Sequence, residues 1–220
     1  MKAGAIIFDF DGVLIDSEFV GNRHVAEYLT AAGYPTTTEQ AMARFMGLSG
    51  ANFIAAIERW IGRPLPADFA AARAEEDARV MHDGIEPVDG AVAFVRHLPY
   101  TLPRAVASSS STAWITRHLD HIGLRDAFGD RIFSGKEHVA RGKPAPDLYW
   151  HAADAMGVAI ADCVILEDSP VGATGAVASG AFVIGLCAAN HCGDGHEDVL
   201  RAIGVDAIAH DFDEVARLIL

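Results

Sequence analysis

The sequence predicts an α/β domain on a parallel sheet, with an all-helical segment inserted after the first strand. Two observations carry this. Short apolar runs of strand type recur at 4–8, 104–107, 131–133, 163–166 and 181–186, and the segments between the later runs have helical periodicity. Strands alternating with helices imply parallel pairing. From Glu18 to His82, by contrast, no convincing strand occurs, and the Leu, Phe, Ile, Ala and Trp residues fall at helical spacing.

Taken in order, the first run, Gly4 to Phe8, is closed by Asp9. Breaks at Gly33-Tyr34-Pro35, Gly47 to Gly50 and Gly62 to Pro66 divide the inserted segment into about four helices, and Pro87 and Gly90 mark the return to the main domain. The second run, Arg104 to Ala107, leads into a helix at Ala113 to His121 with Trp114, Ile115, His118 and Leu119 on one stripe. After the third run, Arg131 to Phe133, a helix at Pro146 to Met156 carries Leu148, Tyr149, Ala152, Ala153 and Met156. Gly123 and Gly157 stand where these two helices should stop. The runs Cys163 to Leu166 and Ala181 to Leu186 complete the expected sheet.

With 220 residues the chain can bury a real core. Its 17 Lys+Arg against 30 Asp+Glu leave a formal charge of −13. That balance argues against nucleic acid and anionic membranes as partners, since a polyanion is normally met by a basic patch. Apolar stretches such as Ala181 to Ala189 fall far short of the roughly 18 residues of a membrane span, so neither a signal peptide nor an anchor is expected. Three cysteines, an odd number in a chain too large to need disulfide staples, fit a reducing, cytoplasmic setting. Lysine is scarce: it occurs at positions 2, 136 and 143 alone.

Polar chemistry gathers after three of the strands. The first ends in Asp9-Phe10-Asp11-Gly12-Val13-Leu14-Ile15-Asp16-Ser17-Glu18. Carboxylates two residues apart at a strand end project to one side, close enough to share a cation. The same residues would also make an acidic turn. What favours the site is that Ser108 to Ser111 follow the second strand and Glu167-Asp168-Ser169 the fourth. In open parallel sheets ligands bind beyond the carboxyl ends of the strands, so three strand ends offer carboxylates and hydroxyls to one crevice.

Over nearly its whole length the chain resembles the haloacid dehalogenase superfamily, in its β-phosphoglucomutase-like and sugar-phosphatase branch. The resemblance rests on four ordered signals: Asp9-Phe10-Asp11-Gly12-Val13 with Asp16-Ser17-Glu18; Val106-Ala107-Ser108-Ser109-Ser110; Gly142-Lys143-Pro144-Ala145-Pro146-Asp147; and Glu167-Asp168-Ser169-Pro170-Val171-Gly172. It implies a doubly wound, Rossmann-like core, residues 1–17 and 83–220, under a mobile helical cap, residues 18–82. It further implies Asp9 as the nucleophile that becomes an aspartyl phosphate, and Asp11 as acid and then base. Mg²⁺ would be held by Asp9, the Asp11 carbonyl and Asp168, with Glu167 near or in the shell. Lys143 would offset phosphate charge. Ser108 would hydrogen-bond a phosphoryl oxygen, with Ser109, Ser110 and the amides that open the next helix beside it.

Composition then sorts the reactions. Dehalogenases lack the second aspartate, whereas Asp11 is present. A phosphonatase needs a cap lysine, and residues 18–82 contain none. A mutase must anchor a second phosphate from the cap. The loop Phe45-Met46-Gly47-Leu48-Ser49-Gly50 keeps the glycine of the mutase pattern but has Met46 and Gly50 at its cationic positions, with Arg44, Arg73 and Arg79 as possible substitutes. His24 lies about three residues late for the family's early cap histidine. A phosphatase acting on a small phosphorylated metabolite, a sugar phosphate or sugar-acid phosphate, is therefore expected. The alternatives are a phosphosugar mutase and a non-catalytic phosphosugar-binding protein. Glu18, Asn22, Arg44 and Ser49 are the substrate-contact candidates, with Phe45 and Met46 as hinge packing. A monomer or weak homodimer is expected. The loop His191-Cys192-Gly193-Asp194-Gly195-His196 matches no zinc spacing and reads as a polar loop. His118 and His121 read as ordinary helix residues.

Overall fold

The computed structural model describes residues 3–46, 48 and 50–219. Gly47 and Ser49, named above in the insert, lie outside the described residues. The chain divides into two compact units, residues 1–16 with 85–220, and Ser17–Gly84.

The first unit is an α/β sandwich on a parallel sheet of six strands: β1 (Ala5–Phe8), β2 (Arg104–Ser108), β3 (Ile132–Ser134), β4 (Cys163–Glu167), β5 (Phe182–Leu186) and β6 (Ala207–Ala209). Their order is β3-β2-β1-β4-β5-β6. The chain winds outward from β1 to β3, then returns to the other side of β1 and winds outward again. A doubly wound sheet of this kind has its switch point between β1 and β4. The central strands β1, β2 and β4, buried along their length, are built around continuous apolar runs, as two-sided burial requires. β2 and β4 each extend one residue beyond the expected apolar run, to Ser108 and Glu167, because their neighbours continue the ladder as Ser108↔Ser134 and Glu167↔Gly185. Two site residues thus sit on sheet backbone rather than on loops. On one face Tyr149, Leu148, Ala152 and Ala153 pack against Ala5, Ile7, Ala105, Ala107, Cys163 and Ile165.

The second unit, inserted after β1, is helical: α1 (Ser17–Ala31), α2 (Thr38–Phe45), α3 (Gly50–Ile61) and α4 (Phe69–Asp83). Thr37 and Gln40 form a reciprocal cap at the start of α2. Its own core joins Val25, Ala26, Leu29, Ala41, Phe45, Ile57 and Phe69. The Trp60 indole donates to Thr36 Oγ1 at 2.9 Å, which satisfies a polar tip at the core's edge. The remaining helices belong to the first unit: α5 (Ala91–His97), α6 (Thr112–His121), α7 (Arg125–Phe128), α8 (Asp147–Met156), α9 (Pro170–Ser179), α10 (His196–Ile203) and α11 (Phe212–Ile219). Among the described residues no helix is long and apolar enough to cross a membrane.

Candidate active site

Parallel pairing of β1 with β4, in the register Phe8↔Leu166, sets Asp9 beside Glu167 and Asp168. The Asp9 amide continues the ladder to the Leu166 carbonyl at 2.9 Å. Carboxylate oxygens of Asp9, Glu167 and Asp168 lie within 4.8 Å of one another, and all three residues are buried. Lys143 reaches them from the loop after β3. Its Nζ donates to Asp9 Oδ1 at 2.6 Å and to Glu167 Oε1 at 2.5 Å, with 3% of the side chain exposed. The loop can come this close because α9 carries Gly175 where a Cβ would stand 2.9 Å from the Pro144 carbonyl.

Both Glu167 oxygens are engaged within the protein. Oε1 accepts from Lys143 and from the Tyr149 hydroxyl at 2.8 Å; Oε2 accepts from the Ser169 amide and Ser169 Oγ, each at 3.0 Å. Ser169 is also the N-cap of α9, accepting from the Gly172 amide at 3.0 Å. Gly172 makes room for the carboxylate: a Cβ there would lie 1.7 Å from Glu167 Oε1. Gly12 does the same for Asp168, since at φ 85° its Cβ would lie 2.1 Å from Asp168 Oδ2. The same oxygen meets His191, whose Nε2 is 2.8 Å from Oδ2.

Asp11 sits on three donors. Ser110 Oγ donates to Oδ2 at 2.6 Å, Ser108 Oγ to the same oxygen at 3.3 Å, and Trp114 Nε1 to Oδ1 at 3.0 Å. Ser108 Oγ in turn accepts from the Ser110 amide at 2.9 Å. Ser111 caps α6, which sets the turn that aims Trp114 back at Asp11. Ser109 is exposed.

Electrostatics make this a strained place for negative charge. Burial, and then the charge of Glu167, raise the Asp9 pKa well above the usual carboxylate value, while Lys143 opposes them. For Lys143 burial works against the ammonium, yet Asp9 and Glu167 outweigh it and hold its pKa well above that of an ordinary lysine. Of the three buried carboxylates, Asp9 and Glu167 share one lysine and Asp168 meets His191. A set of hard oxygen donors with surplus negative charge fits a small divalent cation such as Mg²⁺.

Asp9, Asp11, Ser108, Ser110, Lys143, Glu167 and Asp168 are thus gathered in the first unit. Glu18, Asn22 and Arg44 belong to the second. There Asn22 is buried and donates to the Glu18 carbonyl at 2.8 Å, and the Arg44 guanidinium lies 4.1 Å from the centre of the Trp60 ring. Arg73 pairs with Asp77, and Arg79 with Glu76 and Asp83. Phe45 is core, as expected of a packing residue. Trp114, Tyr149 and His191 were missed as site residues. Periodicity placed Trp114 and Tyr149 on apolar stripes, and the signal available was that each carries a polar tip one helix beyond a motif strand.

The sequence pattern of the haloacid dehalogenase-like hydrolases matches residues 3–180. The chain is 31% identical over 189 residues to 6-phosphogluconate phosphatase of Escherichia coli, covering 85% of this chain and 84% of that one. It is 28% identical over 218 residues to hexitol phosphatase A of the same organism, covering 98% and 94%. A solved haloacid dehalogenase-like protein of unknown function from Agrobacterium tumefaciens superposes with a TM-score of 0.88 at 32% identity, covering 98% and 97%. The chain belongs to the haloacid dehalogenase-like hydrolase family, and its relatives include enzymes named for hydrolysing phosphate monoesters.

Proposed function

We propose that the protein is a Mg²⁺-dependent phosphatase that hydrolyses a sugar phosphate or sugar-acid phosphate through an aspartyl phosphate on Asp9. The observation that carries this reading is the buried cluster of Asp9, Glu167 and Asp168, in which Lys143 bridges Asp9 and Glu167, with Asp11 held on its own donors beside β2. Relatives that act on 6-phosphogluconate and hexitol phosphates support the substrate class.

In the first half-reaction an Asp9 carboxylate oxygen bonds to phosphorus, the ester P–O bond breaks, and Asp11 gives its proton to the leaving alkoxide. In the second, water attacks the phosphorus, Asp11 takes its proton, and the bond from phosphorus to Asp9 breaks. Ser108, with the amides that open α6, binds phosphoryl oxygens. Lys143 offsets charge on Asp9 and on the incoming phosphate; at low effective dielectric that repulsion amounts to several kcal/mol, on the order of 4 per charge pair. Asp9, Asp168 and the Asp11 carbonyl would hold Mg²⁺, which would supply the further positive charge that lets two anions meet. Glu167, with both oxygens engaged, acts by holding Lys143. The second unit serves as the cap that selects the substrate, inside the cytoplasm.

A mutase needs cations in that cap for a second phosphate. Arg44 lies on Trp60, while Arg73 and Arg79 are paired within their own helix, so the hydrolase reading stands ahead. The test is a screen of phosphorylated metabolites with Mg²⁺, reading free phosphate. Turnover should disappear in EDTA and in Asp9→Asn; undiminished turnover in Asp9→Asn would sink the mechanism. Conversion of β-glucose 1-phosphate to glucose 6-phosphate with little free phosphate would favour the mutase.

A further inference from the structure

The three free cysteines are not equivalent. Cys163 is buried in the sheet core. Cys187 directly follows β5, where its amide donates to the Ala209 carbonyl at 2.8 Å and so ties it to β6. The chain then doubles back: the Cys192 amide donates to the Ala189 carbonyl at 3.0 Å and the Gly193 amide to the His191 carbonyl at 2.9 Å. α10 begins after Gly195 at φ 83°, which turns His196 inward. As a result the ligand atoms of Cys187, Cys192 and His196 lie within 4.8 Å of one another, all half-buried. Sequence spacing within the loop alone does not reveal this, because the third ligand comes from the end of a strand.

His196 is arranged as a metal-binding histidine usually is. Its Nε2 lies 2.6 Å from the Asp168 carbonyl, where only an N–H can donate, which leaves the lone pair on Nδ1. An outer hydrogen bond of this kind fixes the tautomer and raises ligand basicity. Two thiols and an imidazole are soft to borderline donors, which suit zinc and not Mg²⁺.

We propose that Cys187, Cys192 and His196 form a zinc site, with a fourth position taken by solvent because His191 Nε2 is engaged by Asp168 Oδ2 at 2.8 Å. On binding, each thiol releases its proton to solvent as the Zn–S bond forms, and His196 binds as neutral imidazole and releases none. The site is separate in chemistry from the oxygen cluster of the proposed active site, though its ligand His196 also bonds the Asp168 carbonyl.

The experiment uses the full chain, reduced with a phosphine, stripped by chelator, and titrated with Co²⁺ and then Zn²⁺. A thiolate-to-cobalt charge-transfer absorption should saturate at one equivalent and vanish as Zn²⁺ displaces the cobalt, with two protons released per zinc. Cys187→Ser and Cys192→Ser should each weaken binding by about 100-fold or more, beyond what outer-shell changes usually cost. Cys163→Ser should bind as the unmodified chain does. The titration of the unmodified protein is decisive whether or not a variant folds: absence of thiolate absorption overturns the proposal, as does an undiminished band in both serine variants. Mg²⁺ at the carboxylates produces no such band, so failure here leaves the phosphatase reading untouched, and the reverse holds too.

Discussion

His118 offers a test of how burial in α6 couples to pH. The residue is fully buried, neither ring nitrogen has a hydrogen-bond partner, and its ring lies edge-on to Trp114 with centroids 4.3 Å apart. Burial lowers its pKa from 6.5 to about 4, only partly offset by the charge of Asp11. In the folded state His118 therefore stays neutral down to about pH 4, whereas in the unfolded chain it takes up a proton near pH 6.5. The unfolded state binds more protons across that window, so stability falls as pH is lowered from about 6.5 towards 4. Between about pH 7.5 and pH 4.5 this single group costs roughly 2 to 3 kcal/mol. His118→Phe removes the titration and also a polar ring with no partner, so at neutral pH the variant should be at least as stable as the parent. Urea unfolding of both proteins across this range isolates the effect as their difference, which should grow by roughly 2 to 3 kcal/mol towards low pH. A difference that stays constant with pH would refute the argument.

Lys143→Met leaves Asp9 and Glu167 buried without their shared cation, and should cost about 3 to 5 kcal/mol of stability in metal-free protein; with substrate and Mg²⁺, initial rates should fall by about 100-fold or more. Trp114→Phe keeps the apolar ring but removes the donor to Asp11 Oδ1, a bond to a charged group worth about 1.5 to 3 kcal/mol, so kcat should fall by roughly tenfold or more with little change in KM. Mg²⁺ at about 100 times its Kd should stabilise the folded chain by about 2.7 kcal/mol, read as a rise in Tm without substrate. Asp168→Asn should abolish most of that rise.

The sheet was legible because its central strands are buried on both faces and are therefore largely apolar: the runs at Ala5–Phe8, Ala105–Ala107 and Cys163–Leu166 stand out for that reason. β6 escaped. It has three residues, lies at the sheet edge beside β5, and only Ala209 of the three is buried, so two-sided burial leaves little mark on it. The carboxylate motifs were equally visible, since each follows a strand at the end where ligands collect, and Lys143 stood out through the family resemblance and the scarcity of lysine. What periodicity cannot convey is where the polar tip of a long side chain ends up. Trp114 shares a stripe with Ile115 and Leu119, yet its indole N–H reaches Asp11 on a different strand's loop. Tyr149 is core by its ring and site by its hydroxyl. Cys187 and His196 are nine residues apart and meet because β5 and α10 turn about one loop, a contact that spacing rules for zinc do not anticipate.

The charge of −13 and the proposed anionic substrate are reconciled by where the charges sit. Acidic side chains on exposed helix faces, such as Glu197 and Glu214, are paired with Arg201, His210 and Arg217, and water screens what remains. The buried carboxylates interact in a medium where charge counts for more, and there they exceed their one lysine. A surplus of buried negative charge repels a phosphate on its own, but it would favour a divalent cation, and the cluster with that cation would attract the phosphate. On the proposed mechanism, acidity at the cluster is therefore the means by which it becomes an anion site. The same logic explains why Glu167 is fully screened by Lys143, Tyr149 and Ser169 while Asp9 is raised towards its neutral form. In the proposed mechanism the carboxylate that attacks phosphorus is thus one whose charge burial and Glu167 oppose until a cation arrives.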